Sequence, residues 1–248
     1  MFLSALNVEP DELHVLHIGC SQYLLGSVLW ALVYGGVLTG SLRDNMARVW
    51  EEILVEYAEQ NIEEQFSSIT LNTFIDPEHP RSTYPKLKGR GGEIKSLVPA
   101  MATVWGRLKR DGNEHDDRMM DLLSSAVTIQ ELISDHKYDL FMLPEASRQL
   151  RNAIDVYLHM WTVVGQMSDA MADMEVNAVP KLHWLYHLGI RSMYLSPRRG
   201  ACFIDEDFVK CMKQICQKCV AGQRLHRVPH LLFEKYAWSE LFEMLSMA

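Results

Sequence analysis

One segment near the start of the chain limits what the whole sequence can fold into. Residues Tyr23 to Leu38 are strongly apolar over 16 positions, with three glycines and one serine among them. A helix that crosses a membrane needs about 20 such residues, and three polar side chains, His14, His17 and Gln22, precede the run. We therefore predict a buried core helix here, with a membrane segment as the alternative.

Helical spacing continues through the rest of the chain. Apolar residues recur three and four positions apart in the long segments, as in Met119–Ile133 and Leu150–Val164. This spacing places them on one face of an α-helix, and no stretch shows the sustained alternation of a half-buried strand. We predict an all-α fold, a single domain of about eight helices over residues 1–248 with little or no sheet. Prolines and glycines between 70 and 92 mark where a soft boundary would fall. The polar cluster Arg110–Asp117 is predicted to be a turn between two helices.

Composition narrows the class of protein. The net charge of -8 argues against binding of nucleic acid over the whole surface, because phosphate binding depends on Lys and Arg, but a local basic patch stays open. The five cysteines are odd in number and unevenly spread, unlike the dense framework of a small secreted domain. We therefore expect reduced thiols in an intracellular protein, nuclear or cytoplasmic, and no membrane partner.

The first candidate site precedes the apolar run, at Asp11-Glu-Leu-His14 with His17 and Cys20. The two histidines and the cysteine are spaced three apart, so on a helix they drift slowly around one side, where imidazoles and a thiolate can ligate zinc. In the alternative interpretation, Pro10 and the two acidic residues after it form the first turn of a helix, near the positive end of its dipole. The histidines are then polar residues beside the core, which is the interpretation that the spacing favours.

The second candidate is the segment Pro180-Lys-Leu-His183-Trp-Leu-Tyr-His187. Histidines at i and i+4 share one face of a helix, as they do in many metal sites, but no glutamate follows the first histidine as it does in a zinc protease. Without a third ligand at a diagnostic spacing, structural packing is the favoured interpretation.

The third candidate is the acidic triplet Asp205-Glu206-Asp207. Carboxylates that converge from distant parts of a chain can hold a hard cation such as Mg²⁺. Alternatively, Asp205 caps a helix and Glu206 pairs with Lys210 at the stabilising i,i+4 spacing.

Two basic stretches are candidate nucleic-acid contacts. The first consists of Lys86, Lys88 and Arg90 with Lys95 beyond, and the second of Arg198 and Arg199. In the first stretch, glycines beside the charges would let backbone amides join in binding phosphate. Neither stretch has the Walker pattern, so solvated loops are the alternative.

Taken together, the two ends resemble one family, the transposases of the CACTA type. The opening pattern that carries the resemblance is Asp11-x-x-His14, Gly19 and Leu24-Leu25-Gly26-Ser27-Val28-Leu29. The closing pattern is Lys181-x-His183-x-x-x-His187-Leu188, Pro197-Arg198, Cys202-Phe203 and Glu206. In that family a His-rich helix precedes the last acidic residue of an RNase H-like, DDE/D nuclease core, and a long helical insertion lies between the two parts.

The resemblance implies roles for these residues. It makes the chain a transposon-derived protein whose ancestor cleaved and joined DNA with Mg²⁺ or Mn²⁺, and it makes Glu206 the last metal-binding catalytic carboxylate. Asp11 is the second catalytic candidate; with His14 it matches the Asp-x-x-His motif, which is expected to brace the site rather than to hold metal. His14, His183 and His187 are the histidines that would join a metal site.

One departure from the family limits the expected activity. An RNase H-like core needs a sheet whose first strand supplies the first catalytic aspartate, and no convincing strand precedes Asp11. One glutamate cannot hold the two ions of metal-dependent phosphoryl transfer. We therefore expect a catalytically incomplete chain whose partner is DNA, a second copy of itself or another protein. The alternative is a non-catalytic helical interaction module, for which 14 methionines and six tryptophans suit adaptable apolar surfaces.

Overall fold

The computed structural model describes residues 10–170, 175–202, 213–217, 219, 227–231 and 233–236. The prediction of an all-α fold is confirmed, since the described residues contain helices and no strand. Residues Met1–Ala201 form one compact unit and Cys202–Ala248 another, and the stretch 70–92 lies inside the first. In chain order the first unit contains a π-helix Leu13–Ser21, α1 Gln22–Val33, α2 Leu42–Glu59, α3 Leu71–Phe74, α4 Gly91–Leu108, α5 Glu114–Asp135, α6 Pro144–Ala170, α7 Pro180–Arg191 and a 3₁₀ helix Pro197–Gly200.

The apolar run forms a helix in the core of the first unit. Eleven of the twelve residues of α1 are buried, and Tyr23 is the exception. A helix that is apolar on all sides is stable only when other elements surround it, so the predicted burial is confirmed. Together with the π-helix, residues 13–33 are long and apolar enough to cross a membrane by length and composition alone, yet 89% of the 18-residue window that meets this test is buried inside the protein.

Side-chain caps fix the starts of two long helices. Ser41 precedes α2, and its Oγ accepts a backbone N–H of the first turn at 3.2 Å. Asn113 precedes α5, and its Oδ1 accepts the N–H of Asp116 at 3.1 Å. Such caps satisfy amides that have no partner within the helix. The stretch Arg110–Asp117, which the sequence predicts to be a turn throughout, therefore becomes helical from Glu114 onward.

The long helices pack in a connected series. α5 lies along α6 and contacts α4, α7 packs on α6, and the π-helix contacts both α4 and α7. Buried indoles join these elements through their N–H groups, which need a partner once they are removed from water. The indole of Trp105 in α4 donates to the carbonyl of Asp116 at 3.0 Å, and that of Trp161 in α6 donates to the carbonyl of Asn177 at 3.0 Å. Through its contacts with α4 and α7, the π-helix packs against two helices that come from distant parts of the chain.

The connection between α3 and α4 packs directly against α1. A Cβ atom at Gly26 would lie 2.7 Å from the carbonyl carbon of Pro85 and 2.7 Å from the backbone nitrogen of Lys86. The N–H of Leu87 donates to the carbonyl of Gln22 at 2.9 Å. This approach positions the basic residues that follow Pro85 near the start of the core helix.

Candidate functional site

The Asp-x-x-His segment begins a helix, as the first-turn interpretation predicts. Asp11 accepts the backbone N–H of Leu13 at 3.0 Å and that of His14 at 3.3 Å, and its Oδ2 also bonds Nδ1 of His14. The helix that follows, Leu13–Ser21, is a π-helix rather than the expected α-helix. In a π-helix each backbone hydrogen bond joins residues i and i+5. Such helices are rare and are frequent at functional sites.

The π-helical geometry brings Glu12 and His17, five residues apart, into contact. Nε2 of His17 lies 3.0 Å from Oε1 of Glu12, and the two side chains are 0% and 2% exposed. Burial lowers the pKa of His17 and outweighs the opposing effect of Glu12, so the imidazole is neutral and donates its Nε2–H to the carboxylate. Burial alone would raise the pKa of Glu12, but the bond from His17 and the nearby cations leave that pKa below its ordinary value. Glu12 is therefore a buried carboxylate ion.

Two cations balance this buried charge. Nη1 of Arg198, in the 3₁₀ helix, lies 3.6 Å from Oε2 of Glu12. Lys95, in α4, is half-buried, and its pKa is lowered by burial and by the charge of Arg198, while Glu12 acts in the opposite direction. We call Glu12, His17, Lys95 and Arg198 the buried ionic cluster. It joins the Asp-x-x-His segment to α4 and to the segment that follows α7.

The cysteine of the predicted zinc trio lies in a different environment. Cys20 is fully buried, and burial raises the pKa of its thiol to about 12. Free cysteines in such surroundings commonly act as small buried apolar groups. His17, the middle member of the trio, is engaged with Glu12. The interpretation of these residues as polar groups in and beside the core fits the structure better than the zinc interpretation.

The two other histidine candidates, His183 and His187, form a pair on α7, far in sequence from Asp11 and His14. Nε2 of His183 lies 3.0 Å from Nε2 of His187 on α7, and the two rings are nearly perpendicular, with an interplanar angle of 89°. His183 is exposed and His187 is partly exposed. The acidic triplet 205–207, which includes the predicted catalytic residue Glu206, lies outside the described residues.

Four of the six basic candidates interact with charged or carbonyl groups of the protein itself. Arg198 and Lys95 belong to the buried ionic cluster, and Arg90 donates to the carboxylate of Glu93. Arg199 donates to the carbonyls of Tyr138 at 2.6 Å and Asp139 at 3.4 Å. These arginines and this lysine therefore have structural partners in addition to any contact with nucleic acid.

Lys86 and Lys88 line an open surface cavity of about 460 Å³, in the connection between α3 and α4. Asn72, Asp76, Thr83 and Tyr84 also line it, so the two cations stand beside one carboxylate. The ammonium group of Lys86 additionally lies over the ring of Tyr23, 5.1 Å from its centroid. Two cations beside hydroxyl and amide groups are suited to contact a phosphate.

A second buried cluster, which the sequence does not predict, joins the start of α5 to Glu175. Nε2 of His115 lies 3.0 Å from Oε2 of Glu175, and its Nδ1 lies 3.5 Å from Oδ1 of Asp116. Arg110 in turn contacts Asp116 with two guanidinium nitrogens, at 2.9 and 2.7 Å. The density of charge in Arg110–Asp117 was the available signal, but only the fold shows that Asp116 and Glu175 are buried beside the histidine.

Comparison of the chain with models of known protein families, with curated proteins and with solved structures finds no match. The resemblance to CACTA-type transposases therefore rests on the motif residues themselves.

Proposed function

We propose that this chain is a transposon-derived protein of DDE/D-transposase descent that contacts DNA and does not cleave it alone. The observation that supports this proposal is the contact between Glu12 and Arg198. It connects the Asp-x-x-His segment to the segment ahead of Glu206, and these are the two parts that flank the nuclease centre in the family that the sequence resembles. A buried carboxylate is costly without a partner, so this contact constrains both segments to the same region of the first unit.

The acidic residues of the first segment do not fit a site for Mg²⁺ or Mn²⁺. Such ions take several oxygen ligands. Asp11 already accepts two backbone amides and contacts His14, while Glu12 contacts His17 and has Arg198 on its other oxygen. These contacts support a bracing role for Asp11 and His14. Glu206 would then be the remaining metal-binding candidate, and a single carboxylate cannot hold two ions.

The DNA contact is assigned to Lys86 and Lys88. They lie on the same cavity, next to polar side chains, and a local patch of this kind can bind phosphate on a chain with a net charge of -8. Arg90 follows them directly and completes the basic stretch.

Binding of a labelled DNA duplex, followed by fluorescence anisotropy at several salt concentrations, tests this assignment. Each phosphate contact contributes about -0.9 to the slope of log K against log salt, so the double variant Lys86→Gln, Lys88→Gln should flatten the slope by about 2. The matched control is Lys137→Gln, because Lys137 is exposed and also lies over a tyrosine ring, that of Tyr138. Equal slopes for the double variant, the control and the parent would rule out the assignment.

Incubation of the same duplex with Mg²⁺ or Mn²⁺ tests the second half of the proposal. We expect no cleaved product from the parent chain. Product that disappears in Glu206→Gln would show that the chain is a complete nuclease, contrary to the proposal. Product that persists in that variant would remove the role assigned to Glu206.

An interaction module is the second candidate function, and an exposed apolar surface favours it. The connection between α5 and α6 exposes Tyr138, Leu140, Phe141 and Leu143 by 53 to 80% of their surface. The N–H of Ser196 donates to the carbonyl of Leu140 at 2.9 Å, which brings the chain after α7, with its exposed Met193 and Tyr194, to the same place. Apolar residues that cluster at the surface are typical of protein interfaces.

Light scattering distinguishes this second candidate, with a second copy of the chain as the simplest partner. The double variant Phe141→Ser, Leu143→Ser should convert an oligomer to a monomer, while DNA binding through the lysines stays unchanged. A parent chain that is monomeric at every concentration would count against self-association through this surface.

A further inference from the structure

The histidine pair of α7 has a geometry that the DNA function does not require. His183 and His187 bring their Nε2 atoms to 3.0 Å from one another on one exposed face of a helix of twelve residues. In the absence of metal, a contact this short requires one imidazole to donate an N–H to the lone pair of the other. Both Nε2 atoms are therefore directed to the same small volume.

The separation of these two nitrogens fits the coordination sphere of a transition metal. An imidazole nitrogen lies about 2.0–2.1 Å from a bound Zn²⁺. Two such nitrogens at an angle of 90 to 110° around the ion are about 2.9–3.4 Å apart. The observed 3.0 Å lies within that range, so the two nitrogens already have the separation that a shared ion requires, and each ring has only to turn its Nε2 lone pair toward it.

We propose that His183 and His187 form a bidentate site for a divalent transition-metal ion such as Ni²⁺ or Zn²⁺. Imidazole is a ligand that these ions accept, whereas Mg²⁺ and Mn²⁺ are suited by oxygen ligands. Binding replaces the shared N–H with two nitrogen–metal bonds; the ring that gives up its Nε2 proton to solvent takes up a proton at Nδ1, so both imidazoles stay neutral and no net proton is released. Water completes the coordination sphere, because the pair lies at the surface.

The neighbouring side chains give the site a spectroscopic signature. The centroid of Trp184 lies 6.0 Å from that of His187, and Tyr186 lies 5.9 Å from it on the other side. A paramagnetic ion between the two histidines would therefore act on the signals of His183, His187 and Trp184 before those of distant residues. This proposal uses no acidic residue and is independent of the proposed DNA function.

The test is a titration of the full chain with Ni²⁺ below one equivalent, followed through the imidazole signals of its ten histidines by NMR. We expect the signals of His183 and His187 to broaden first and together, and the same amount of Mg²⁺ to leave them unchanged. The matched reference is His159, which is exposed on α6. Its signal should persist when those of the pair are lost.

The variants decide whether the two histidines act as one site. In His183→Ala, the signal of His187 should become no more sensitive to Ni²⁺ than that of His159, and His187→Ala should have the reciprocal effect on His183. The variant His159→Ala should leave the broadening of the pair unchanged. The proposal is overturned if His183 and His187 broaden no earlier than His159, or if either one stays equally sensitive after the other is removed. Since DNA binding is measured separately through Lys86 and Lys88, loss of one result leaves the other intact.

Discussion

Replacement of Glu12 by glutamine should destabilise the first unit strongly, because it removes a buried negative charge. The shape of the side chain is almost unchanged. The glutamine oxygen can still accept the N–H of His17, so the change isolates the interaction with the cations. At 3.6 Å and an effective dielectric constant of about 20, the attraction between Glu12 and Arg198 amounts to about 5 kcal/mol. The loss of one member of a buried pair typically costs about 3–5 kcal/mol. Arg198 is 31% exposed and can recover part of its hydration, so we expect a value near the lower end, about 3 kcal/mol.

Urea unfolding followed by circular dichroism measures this loss as a lower midpoint at an unchanged slope. The matched control is Glu145→Gln, since Glu145 pairs with Arg148 at the surface and both side chains are more than 60% exposed. An exposed pair contributes about 0–1 kcal/mol, so the control should stay close to the parent. In a double-mutant cycle, Arg198→Gln should cost little once Glu12 is already replaced. The reasoning is refuted if Glu12→Gln unfolds within about 0.5 kcal/mol of the control.

Two further predictions concern the second cluster and the packing of α1. Burial lowers the pKa of His115, but Glu175 and Asp116 outweigh it and raise that pKa, so the stabilisation by the protonated ring is complete below a pH of about 6.5 and is lost as the pH rises through the folded-state pKa. His115→Gln should therefore lower the melting temperature more at pH 6 than at pH 9, and an equal loss at both would contradict the assignment. Gly26→Ala should destabilise the protein by about 1–3 kcal/mol through overpacking. Gly106→Ala should instead stabilise it by up to about 1 kcal/mol, because an added Cβ there meets nothing within 4 Å. Urea midpoints of the two variants that move in the same direction would contradict this contrast.

The sequence predicts the helices well where burial and periodicity agree. Within Tyr23–Leu38, the helix is buried but ends at Val33, and Gly35 and Gly36 beyond it are exposed. The stripe Leu150–Val164 lies within α6, with Leu150, Tyr157 and Val164 fully buried. Periodicity fails at the π-helix, because the difference between i+4 and i+5 bonding over nine residues leaves little trace in the order of apolar side chains. It also fails at the start of α5, where the cap formed by Asn113 makes helical a segment that its composition marks as a turn.

The candidate site is harder to predict, since its defining contacts join residues that are distant in sequence. The order of residues around Asp11 predicts the first turn of a helix, and a helix does start here, but Pro10 and Asp11 precede it and the Asp11 carboxylate accepts two amides of the first turn. The same order gives no reason to pair Glu12 with Arg198, because a buried carboxylate needs a cation that only the folded chain can supply. Similarly, His17 is one of three evenly spaced metal candidates in the sequence, and becomes the neutral donor to Glu12 once the helix is a π-helix.

These internal contacts also limit how the first unit can bind DNA. Arg198 and Arg199 are equivalent in the sequence, but one guanidinium lies beside Glu12 and the other donates to the carbonyls of Tyr138 and Asp139. Lys86 and Lys88 line one surface cavity, so the number of phosphates that they can neutralise is about two, which gives a salt slope of about -1.8. A contact of this size is weak at physiological salt and strengthens steeply with dilution. The proposed DNA binding should therefore be sought first at low ionic strength, because the affinity that the two lysines contribute rises as salt is diluted.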